Sequence, residues 1–299
     1  MIYSPLRYPG GKNKLAGFIA KLCIDNSING HYVEPYSGGA SVALYLLFEG
    51  FVNKITINDK DRSIYAFWYC VLNKTKQLCS LIENCEFTIE EWRKQKEMQK
   101  SKMTANLLDL GFSTFYLNRT NRSGIISGGV IGGIKQDGDY LMNCRFNKTE
   151  LINRIKLIAS RKKDIRLYKK DAIKLIDKIE KESLDDNILF YFDPPYYYKA
   201  DSLYMNYYDE NAHRLVSNRI KSIKNIKWIV SYDNVEEIKS LYNDSFLKEF
   251  SFKHTAYRSR EGKEVIFLSP NIIKPNIENW DPLRFKVKRL KNAKVIEYV

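Results

Sequence analysis

Short apolar runs alternate with longer amphipathic or polar segments along this chain of 299 residues. Seven runs are rich in β-branched and aromatic residues, as buried strands are, and they span residues 32–36, 54–59, 165–168, 188–193, 227–233, 246–252 and 264–269. Long segments separate the first five runs, which predicts parallel strands, whereas a polar, glycine-containing connection joins the last two and predicts a hairpin. The pattern therefore predicts an α/β fold with a doubly wound, mostly parallel seven-stranded sheet.

The middle of the chain interrupts this rhythm. Residues 61–147 show helical patterning and then a glycine-rich segment, RSGIISGGVIGGIKQDGDY, with no run typical of a buried parallel strand. This predicts an inserted, mainly helical domain over 61–147, between sheet-forming segments at 1–60 and 148–270. Residues 271–299 form a basic tail that we expect to be irregular. The sequence leaves open whether this tail packs on the sheet or contacts nucleic acid.

Composition narrows the class of partner. Lys and Arg number 49 against 35 Asp and Glu, a formal net charge of +14, which favours nucleic acid as a partner but is also compatible with a merely soluble basic surface. No apolar run reaches the length of a membrane span and the N-terminus lacks a signal-peptide pattern, so we expect no membrane association. The five scattered cysteines fit free thiols in a reducing cytoplasm and no metal site.

The first two predicted strands end in groups suited to a nucleoside. The first runs into EPYSGGASVALYLL, where Gly38 and Gly39 allow close backbone approach ahead of an apolar helix, although an ordinary tight turn would also use these glycines. The second ends at Asp59, twenty residues beyond Gly39, a spacing at which a carboxylate can accept hydrogen bonds from ribose hydroxyls. Asp59 or Asp61 would equally suit a helix N-cap. Together the two elements favour a nucleoside cofactor.

The fourth predicted strand ends in the segment ILFYFDPPYYYKA, at the edge where open α/β sheets bind ligands. Asp193 can accept a hydrogen bond from an exocyclic amine. Pro194 and Pro195 leave backbone carbonyls free because proline has no N–H. Tyr196 offers a flat face to a planar ring. These groups suit an amide or a nucleobase that carries an NH₂ group, and a turn that merely closes the strand is the alternative.

These segments together resemble the Dam-like DNA adenine-N6 methyltransferases, in which a cofactor motif precedes the target-recognition domain and DPPY follows it. The resemblance covers nearly the whole chain, about residues 4–269. LRYPGGKNKL resembles the family's N-terminal cofactor motif, and VEPYSGGASV resembles its glycine motif. The resemblance implies that S-adenosylmethionine is the cofactor and that it is bound by Tyr8, Lys12, Glu34, Ser37, Gly39, Asp59, Asp171 and Asp193.

A second part of the resemblance concerns DNA. FYLNRTNRSGI resembles the family's DNA-contacting segment, and NCRFNK stands where the family has DCRFNK. Arginine forks match guanine edges or phosphates and asparagine can match adenine, whereas a solvated basic loop is the alternative. The resemblance implies that the insert recognises DNA, and the residues expected to bind it are Asn118, Arg119, Asn121 and Arg122.

The resemblance implies a Rossmann-like methyltransferase domain formed by 1–60 and 148–270, a target-recognition domain at 61–147, and a basic C-terminal tail at 271–299. It implies a site-specific DNA adenine-N6 methyltransferase that acts on double-stranded DNA in the cytoplasm, encoded by a bacterium or a phage. Methylation of adenine in RNA is one alternative, and a non-catalytic DNA-binding protein on a methyltransferase scaffold is another. A restriction endonuclease acting at the same site is left open as a further partner.

The expected catalytic residues are Asp193, Pro194, Pro195 and Tyr196. Adenine N6 is a poor nucleophile because its lone pair is delocalised into the ring. Asp193 and the carbonyl of Pro194 would accept its two N–H bonds and direct the lone pair at the methyl donor, so catalysis would rest on positioning and electrostatics without a metal. Tyr196 would stack on an adenine flipped out of the duplex, since N6 cannot be reached inside it.

Overall fold

A seven-stranded sheet forms the centre of the protein. The computed structural model describes residues 2–7, 12–182, 187–198, 208–254, 260–290 and 294–299. The strands of the sheet are β1 (His31–Glu34), β2 (Lys54–Asn58), β3 (Ile165–Tyr168), β4 (Ile188–Phe192), β5 (Lys227–Asp233), β6 (Phe246–His254) and β7 (Arg260–Leu268). Their order across the sheet is β3-β2-β1-β4-β5-β7-β6. All seven predicted strands are present, so the predicted fold class is confirmed.

Strand direction places the ends of β1, β2 and β4 at one edge. β1 to β5 are mutually parallel, and β7 runs antiparallel between β5 and β6. Along β4, Tyr191 joins the apolar cluster on one face of the sheet, whereas Phe190 and Phe192 join the cluster on the other. Burial on both faces explains why β4 is a continuous apolar run rather than an alternating one.

Helices cover both faces of the sheet. In the part of the chain that the structure describes they are α1 (Ala16–Asp25), α2 (Ser41–Phe48), α3 (Arg62–Asn73), α4 (Thr75–Asn84), α5 (Ile89–Lys100), α6 (Leu107–Thr120), α7 (Lys148–Ser160), α8 (Ala172–Glu182), α9 (Glu210–Lys221) and α10 (Glu236–Leu241). Leu175, Ile220 and Ile238 place α8, α9 and α10 on one face, and the earlier helices pack on the other. None of these helices is long and apolar enough to cross a membrane.

The segment 61–147 is helical, as its pattern predicts. It contains α3 to α6 and then irregular chain, with no strand. Side chains of Asp61, Thr88 and Asn106 begin three of these helices by accepting backbone N–H bonds. Phe115 of α6 stacks on Phe67 of α3 with ring centroids 5.7 Å apart, and both rings belong to the apolar cluster that also covers the sheet. The insert and the sheet thus share one continuous core, and the division into separate domains stays a prediction.

The C-terminal tail is more regular than the sequence suggests. β8 (Phe285–Arg289) and β9 (Lys294–Tyr298) form an antiparallel pair, so the expectation of an irregular tail is wrong. Phe18 of α1 stacks on Trp280 with centroids 4.9 Å apart. A Cβ on Gly17 would lie 2.1 Å from the carbonyl oxygen of Phe285, so only glycine permits this close approach. Trp280 also stacks on Phe246 of the edge strand β6, with centroids 6.2 Å apart. Aromatic contacts with both α1 and the edge of the sheet therefore place the tail.

Candidate active site

A cleft opens at the carboxyl ends of β1, β2 and β4. It holds about 1250 Å³ of empty space, counted with its open mouth. Glu34, Asp59 and Asp193 stand at or just beyond the ends of these strands and line the cleft together with Lys12. Residues far apart in the sequence meet here because neighbouring parallel strands share one carboxyl edge.

The turn between β1 and α2 forms one wall of the cleft. Gly38 and Ala40 have left-handed backbone, with φ of +43° and +48°, and α2 begins directly afterwards at Ser41. Gly39 and Ser37 line the cleft, and the hydroxyl Oγ of Ser37 is buried without a hydrogen-bond partner among the described residues. A buried hydroxyl that lacks a partner costs about 1–3 kcal/mol, so this group indicates a polar ligand atom.

Asp59 follows β2, and each of its carboxylate oxygens accepts one backbone N–H bond. Oδ2 accepts from Gly38 at 3.1 Å and Oδ1 from Asp61 at 2.9 Å, which leaves lone pairs on both oxygens for ligand hydroxyls. Burial raises the pKa of Asp59 to about 7, in spite of these two bonds. Asp61 is the N-cap of α3, where it accepts from Ser63 and Ile64. The capping role that the sequence allows for either residue therefore belongs to Asp61.

Glu34 ends β1 on the buried side of the cleft. Its Oε1 accepts the hydroxyl of Tyr32 at 3.0 Å and the backbone N–H of Ala43 at 3.0 Å. Burial raises the pKa of Glu34 to about 8, and the negative charge of Asp193 adds to the rise. A positively charged ligand would favour the ionised form, so its binding is expected to release protons from the cleft.

The described residues do not bring the other two expected cofactor residues, Asp171 and Tyr8, into the lining of the cleft. Asp171 Oδ1 accepts the N–H of Ile173 at 3.1 Å at the start of α8, and Oδ2 pairs with Lys60 at 3.1 Å. Each oxygen of this carboxylate therefore has a partner within the protein. The neighbouring residue, Ala172, lines the cleft. Tyr8 lies outside the described residues. Cofactor contacts by either residue stay predictions.

Asp193 directly follows β4, and 25% of its side chain is exposed. Ser231 of β5 donates a hydrogen bond to Asp193 Oδ1 at 2.8 Å, and Lys12 Nζ lies 3.4 Å from the same oxygen. Burial raises the pKa of Asp193 to about 6; the charge of Lys12 opposes the rise and that of Glu264 adds to it. Because the described contacts involve Oδ1, Oδ2 remains as an acceptor for a ligand N–H.

Lys12, Tyr196 and Glu264 form a buried hydrogen-bonded group beside Asp193. Lys12 Nζ donates to Glu264 Oε2 at 2.7 Å and to the Tyr196 hydroxyl at 3.0 Å, and this hydroxyl donates to Glu264 Oε1. Glu264, on β7, is a site residue that the sequence interpretation missed. The signal was one acid inside the apolar run KEVIFLS, since a carboxylate is rarely buried in a strand unless it is paired.

The remainder of the DPPY turn is anchored on the neighbouring strand. Pro195 lines the cleft and Pro194 is buried. The backbone N–H of Tyr197 donates to Asp233 Oδ1, at the end of β5, at 3.1 Å. The turn therefore spans from the end of β4 to the end of β5. The described residues contain no group of three or more His, Cys, Asp or Glu placed to hold a metal ion.

The segment after α6, which the sequence predicts to contact DNA, forms part of the cleft wall. Gly124 and Ile125 line the cleft. Asn118 lines it as well but is only 1% exposed. Its Oδ1 accepts the N–H of Arg7 at 2.7 Å, and its Nδ2 donates to the carbonyls of Arg7 and Gly124 at 2.6 and 2.8 Å. Asn118 thus joins the N-terminal segment to this loop.

Asn121 is buried in the same way. Its Oδ1 accepts the indole N–H of Trp92 at 2.7 Å, and its Nδ2 donates to the carbonyls of Ile125 and Ile126, both at 2.9 Å. Both amide N–H donors of Asn118 and of Asn121 are used within the protein. The structure therefore gives these two residues a role in shaping the loop and does not support direct base contact by either.

The two predicted DNA-binding arginines differ in exposure. Arg119 is partly buried; its Nη1 donates to the carbonyl of Pro5 at 3.5 Å, and its Nε is buried without a partner among the described residues. Burial lowers the pKa of Arg119 to about 10, and the nearby charges of Arg7 and Arg154 lower it further. Arg122 is exposed. It is the better placed of the two to meet DNA.

The groups that line the cleft fit S-adenosylmethionine. The unpartnered hydroxyl of Ser37 and the remaining lone pairs of Asp59 suit the polar atoms of a nucleoside. Glu34 and Asp193 add carboxyl groups whose pKa values are raised by burial, and such groups suit a positively charged sulfonium. The fit rests on Ser37, Asp59, Glu34 and Asp193, each of which lines the same cleft.

We expect Asp59→Ala to weaken S-adenosylmethionine binding by about 10- to 100-fold while leaving DNA affinity nearly unchanged. Each lost charge-assisted hydrogen bond costs roughly 1.5–3 kcal/mol, of which solvent at the vacated site recovers part. Equilibrium titration at pH 8, where Asp59 is mostly ionised, measures the change. Unchanged cofactor affinity would limit Asp59 to holding the turn at Gly38.

One known protein family matches most of this chain. The sequence matches the D12 class N6 adenine-specific DNA methyltransferase family over residues 8–259, and no curated protein matches the chain. Among solved structures it is similar to a SAM-dependent methyltransferase from Agrobacterium tumefaciens (10% identity, TM-score 0.35), with 85% of this chain covered. It is also similar to the rRNA methyltransferase aviRa from Streptomyces viridochromogenes (8% identity, TM-score 0.33), with 85% of this chain and 84% of that chain covered.

The chain spans 61% of the Agrobacterium structure, and both structural likenesses are too distant to carry an argument about activity. The sequence match is different, because it extends from residue 8 through the insert to beyond DPPY. It confirms the resemblance that the cofactor and DPPY motifs indicate, including S-adenosylmethionine as methyl donor. This chain belongs to the D12 class N6 adenine-specific DNA methyltransferases.

Proposed function

We propose that this chain methylates N6 of an adenine at a specific site in double-stranded DNA, with the base turned out of the duplex into the cleft. The observation that carries the proposal is the position of Asp193. Ser231 and Lys12 hold its Oδ1, Oδ2 remains as an acceptor, and Ser37 and Asp59 line the same cleft. An amine acceptor and a nucleoside-binding wall thus share one cavity.

Asp193 Oδ2 and the carbonyl of Pro194 are the proposed acceptors for the two N6–H bonds. Their pull frees the N6 lone pair from conjugation with the ring and directs it into the cleft. S-adenosylmethionine, when bound, supplies an electrophilic methyl group on its sulfonium. Methylated N6 is cationic and must lose a proton, and Asp193, with a pKa raised by burial to about 6, is suited to accept it.

Tyr196 is proposed to stack on the extrahelical adenine. Its hydroxyl is bonded to Lys12 and Glu264, which holds the far end of the ring in place. Only 3% of the side chain is exposed in the protein alone. Stacking therefore requires the groups around the ring to open when DNA binds, and the fixed hydroxyl would keep the ring in place as they do so.

DNA contact is proposed for the loop after α6. The net charge of +14 favours a polyanion, and the exposed Arg122 lies next to the segment that walls the cleft. In this proposal Arg122 contacts DNA directly, and Asn118 and Asn121 hold the loop in the shape that presents it. A DNA contact by Arg119 remains predicted, and it requires the partly buried guanidinium to turn outward.

We expect DNA affinity to fall steeply with salt, because phosphate neutralisation releases counterions. If Arg122 contacts a phosphate, Arg122→Ala should weaken binding to all DNA sequences alike and reduce the slope of log affinity against log salt by about 1. If Arg122 contacts a base, the substitution should relax specificity at one position of the site, at a cost of about 1–3 kcal/mol. Fluorescence anisotropy over a salt series measures this. Arg214→Ala, on the opposite face of the sheet in α9, is the control, and equal behaviour of both variants would exclude a DNA contact by Arg122.

A second partner and the cellular compartment belong to the same proposal. We infer a bacterial or phage-encoded enzyme that works in the cytoplasm and that is paired in some hosts with a restriction endonuclease acting at the same site. The free thiols support a reducing compartment; among them Cys23, Cys70 and Cys79 are buried.

Transfer of a tritiated methyl group to duplex DNA, RNA and protein, measured side by side, tests the proposed function. Label in DNA that appears as N6-methyladenine at one sequence supports it. Preferential labelling of RNA would favour the RNA alternative. DNA binding without any transfer would indicate a non-catalytic protein. Sequencing of methylated adenines in DNA from a methylation-free host that expresses the chain identifies the recognition site.

A further inference from the structure

Two carboxylates share one buried cation in the active site. Lys12 Nζ lies 2.7 Å from Glu264 Oε2 and 3.4 Å from Asp193 Oδ1, so Glu264 is its closer partner. Glu264 is 1% exposed and also accepts the hydroxyl hydrogen of Tyr196. One lysine against two carboxylates leaves a formal surplus of one negative charge, and two of these three groups, Lys12 and Glu264, are almost fully buried. Such a surplus is costly, so its position calls for a physical explanation.

The geometry shows what Glu264 prevents. Without its carboxylate, Lys12 would have Asp193 as its remaining anionic partner in this group, and the 3.4 Å separation would be free to close. A carboxylate paired directly with an ammonium is a weaker acceptor for another N–H, because part of its charge is already satisfied. Glu264 accepts a hydrogen bond from Lys12, which also donates to the Tyr196 hydroxyl.

We propose that Glu264 is a positioning residue for methyl transfer: it holds Lys12 against the Tyr196 hydroxyl and keeps Lys12 from pairing more tightly with Asp193, and so leaves Asp193 the stronger acceptor for the adenine N6 hydrogens. The inference rests on the proposed function, since it assigns a role within the same reaction. Glu264 acts through Lys12 and Asp193 and touches neither substrate.

The groups that can influence the charge on Asp193 come from several elements: Lys12, Glu34, Tyr191, Tyr196, Tyr232 and Glu264. Burial raises the pKa values of Tyr191 and Tyr232 well above the ordinary range, so both stay neutral. Burial alone lowers the pKa of Lys12, but the surrounding negative charges outweigh it and keep Lys12 charged. Burial raises the pKa of Glu34 to about 8, above that of Asp193.

The test is the pH dependence of single-turnover methylation at saturating cofactor by Glu264→Gln, which keeps the shape of the side chain and removes its charge. In the wild type the rate is lost as pH falls through the pKa of Asp193, because the protonated carboxyl no longer accepts both N–H and proton. Removing the neighbouring negative charge and releasing Lys12 both lower this pKa. The acidic limb should therefore move down by roughly one pH unit, and the plateau should fall about 3- to 10-fold because a weaker base is a weaker acceptor.

Two other variants calibrate the shift. Glu249→Gln removes an acid from the neighbouring strand β6 that is half exposed and pairs with Lys239, so its acidic limb should match the wild type. Ser231→Ala removes a hydrogen bond that favours ionised Asp193, so its limb should move up, opposite to Glu264→Gln. Opposite shifts would tie the acidic limb to Asp193.

Stability separates a positioning role from a structural one. Glu264→Gln leaves Lys12 and Asp193 with matched charges, so its midpoint of thermal unfolding should be no lower than that of the wild type. A variant that loses its fold, or that is slower with an unmoved acidic limb, would show a structural role and overturn the inference. A wild-type protein without transfer activity at any pH would instead overturn the proposed function.

Discussion

Replacement of Asp193 by alanine is expected to lower the single-turnover rate of adenine methylation by about 10³-fold or more. The substitution removes the acceptor for one N6–H bond and for the proton that methylated N6 must lose, and each of these effects supplies roughly two or more orders of magnitude. The measurement is rapid-quench transfer of labelled methyl groups to a duplex containing the site. Cofactor affinity is measured separately, since Asp193 lines the cofactor cleft.

Asp193→Asn tests the charge by itself. The amide keeps one acceptor oxygen but cannot take a proton, so we expect a low rate. In the wild type the rate should decrease below about pH 6, the pKa to which burial raises this carboxyl, and in Asp193→Asn this decrease should be absent. Asp244→Asn, an exposed residue paired with Lys221, is the matched control and should behave as the wild type. A near-normal rate for Asp193→Ala would exclude Asp193 from the reaction.

Replacement of Tyr196 by alanine should lower the rate on a matched duplex by about 10- to 100-fold and should respond to the state of the target base. Loss of stacking on the extrahelical adenine costs about 1–3 kcal/mol. An adenine that is already mispaired flips at lower cost, so a mismatched duplex should recover part of the rate. Single-turnover transfer to matched and mismatched duplexes measures the recovery.

Tyr196→Phe separates the ring from its hydroxyl. It keeps the stacking surface but loses the bonds to Lys12 and Glu264, so it should need no rescue by a mismatch. Because Tyr196 is almost fully buried, its replacement by alanine should also lower the stability of the fold. The rates of this variant are therefore measured at a temperature below its own unfolding transition. Equal rescue of Tyr196→Ala and Asp193→Ala by the mismatch would contradict the separate roles assigned to these two residues.

The sheet could be predicted because its central strands are buried on both faces. β4 reads as five apolar or aromatic residues in a row, and helical cover on each side of the sheet requires such a run. The tail could not be predicted in the same way. In β8 only Phe285 is fully buried, and the aromatic contacts of Trp280 and Phe18 that hold the tail come from distant parts of the chain.

The strand ends in the sequence predicted most of the residues that line the cofactor cleft. They did not predict which role each side chain has. Asp59 and Asp61 have the same chemistry two residues apart, and only the contacts show that Asp61 caps α3 while Asp59 keeps lone pairs toward the cleft. Asn118 and Asn121 look like base-reading amides in sequence. In the structure the amide donors of both residues bond backbone carbonyls instead, those of Arg7 and Gly124 for Asn118 and those of Ile125 and Ile126 for Asn121.

The sequence by itself determined the order of strands and helices along the chain, the glycine and DPPY motifs at strand ends, and the family. These depend on local hydrophobic patterns and on residues that are close together in the chain. Only the tertiary structure decided which groups act on one another. Lys12, Asp193 and Glu264 lie far apart in sequence. The end of the parallel strand β4 and the antiparallel strand β7 place Asp193 and Glu264 at 3.4 and 2.7 Å, respectively, from the ammonium of Lys12. Electrostatic interaction depends on distance and burial, neither of which a linear pattern records.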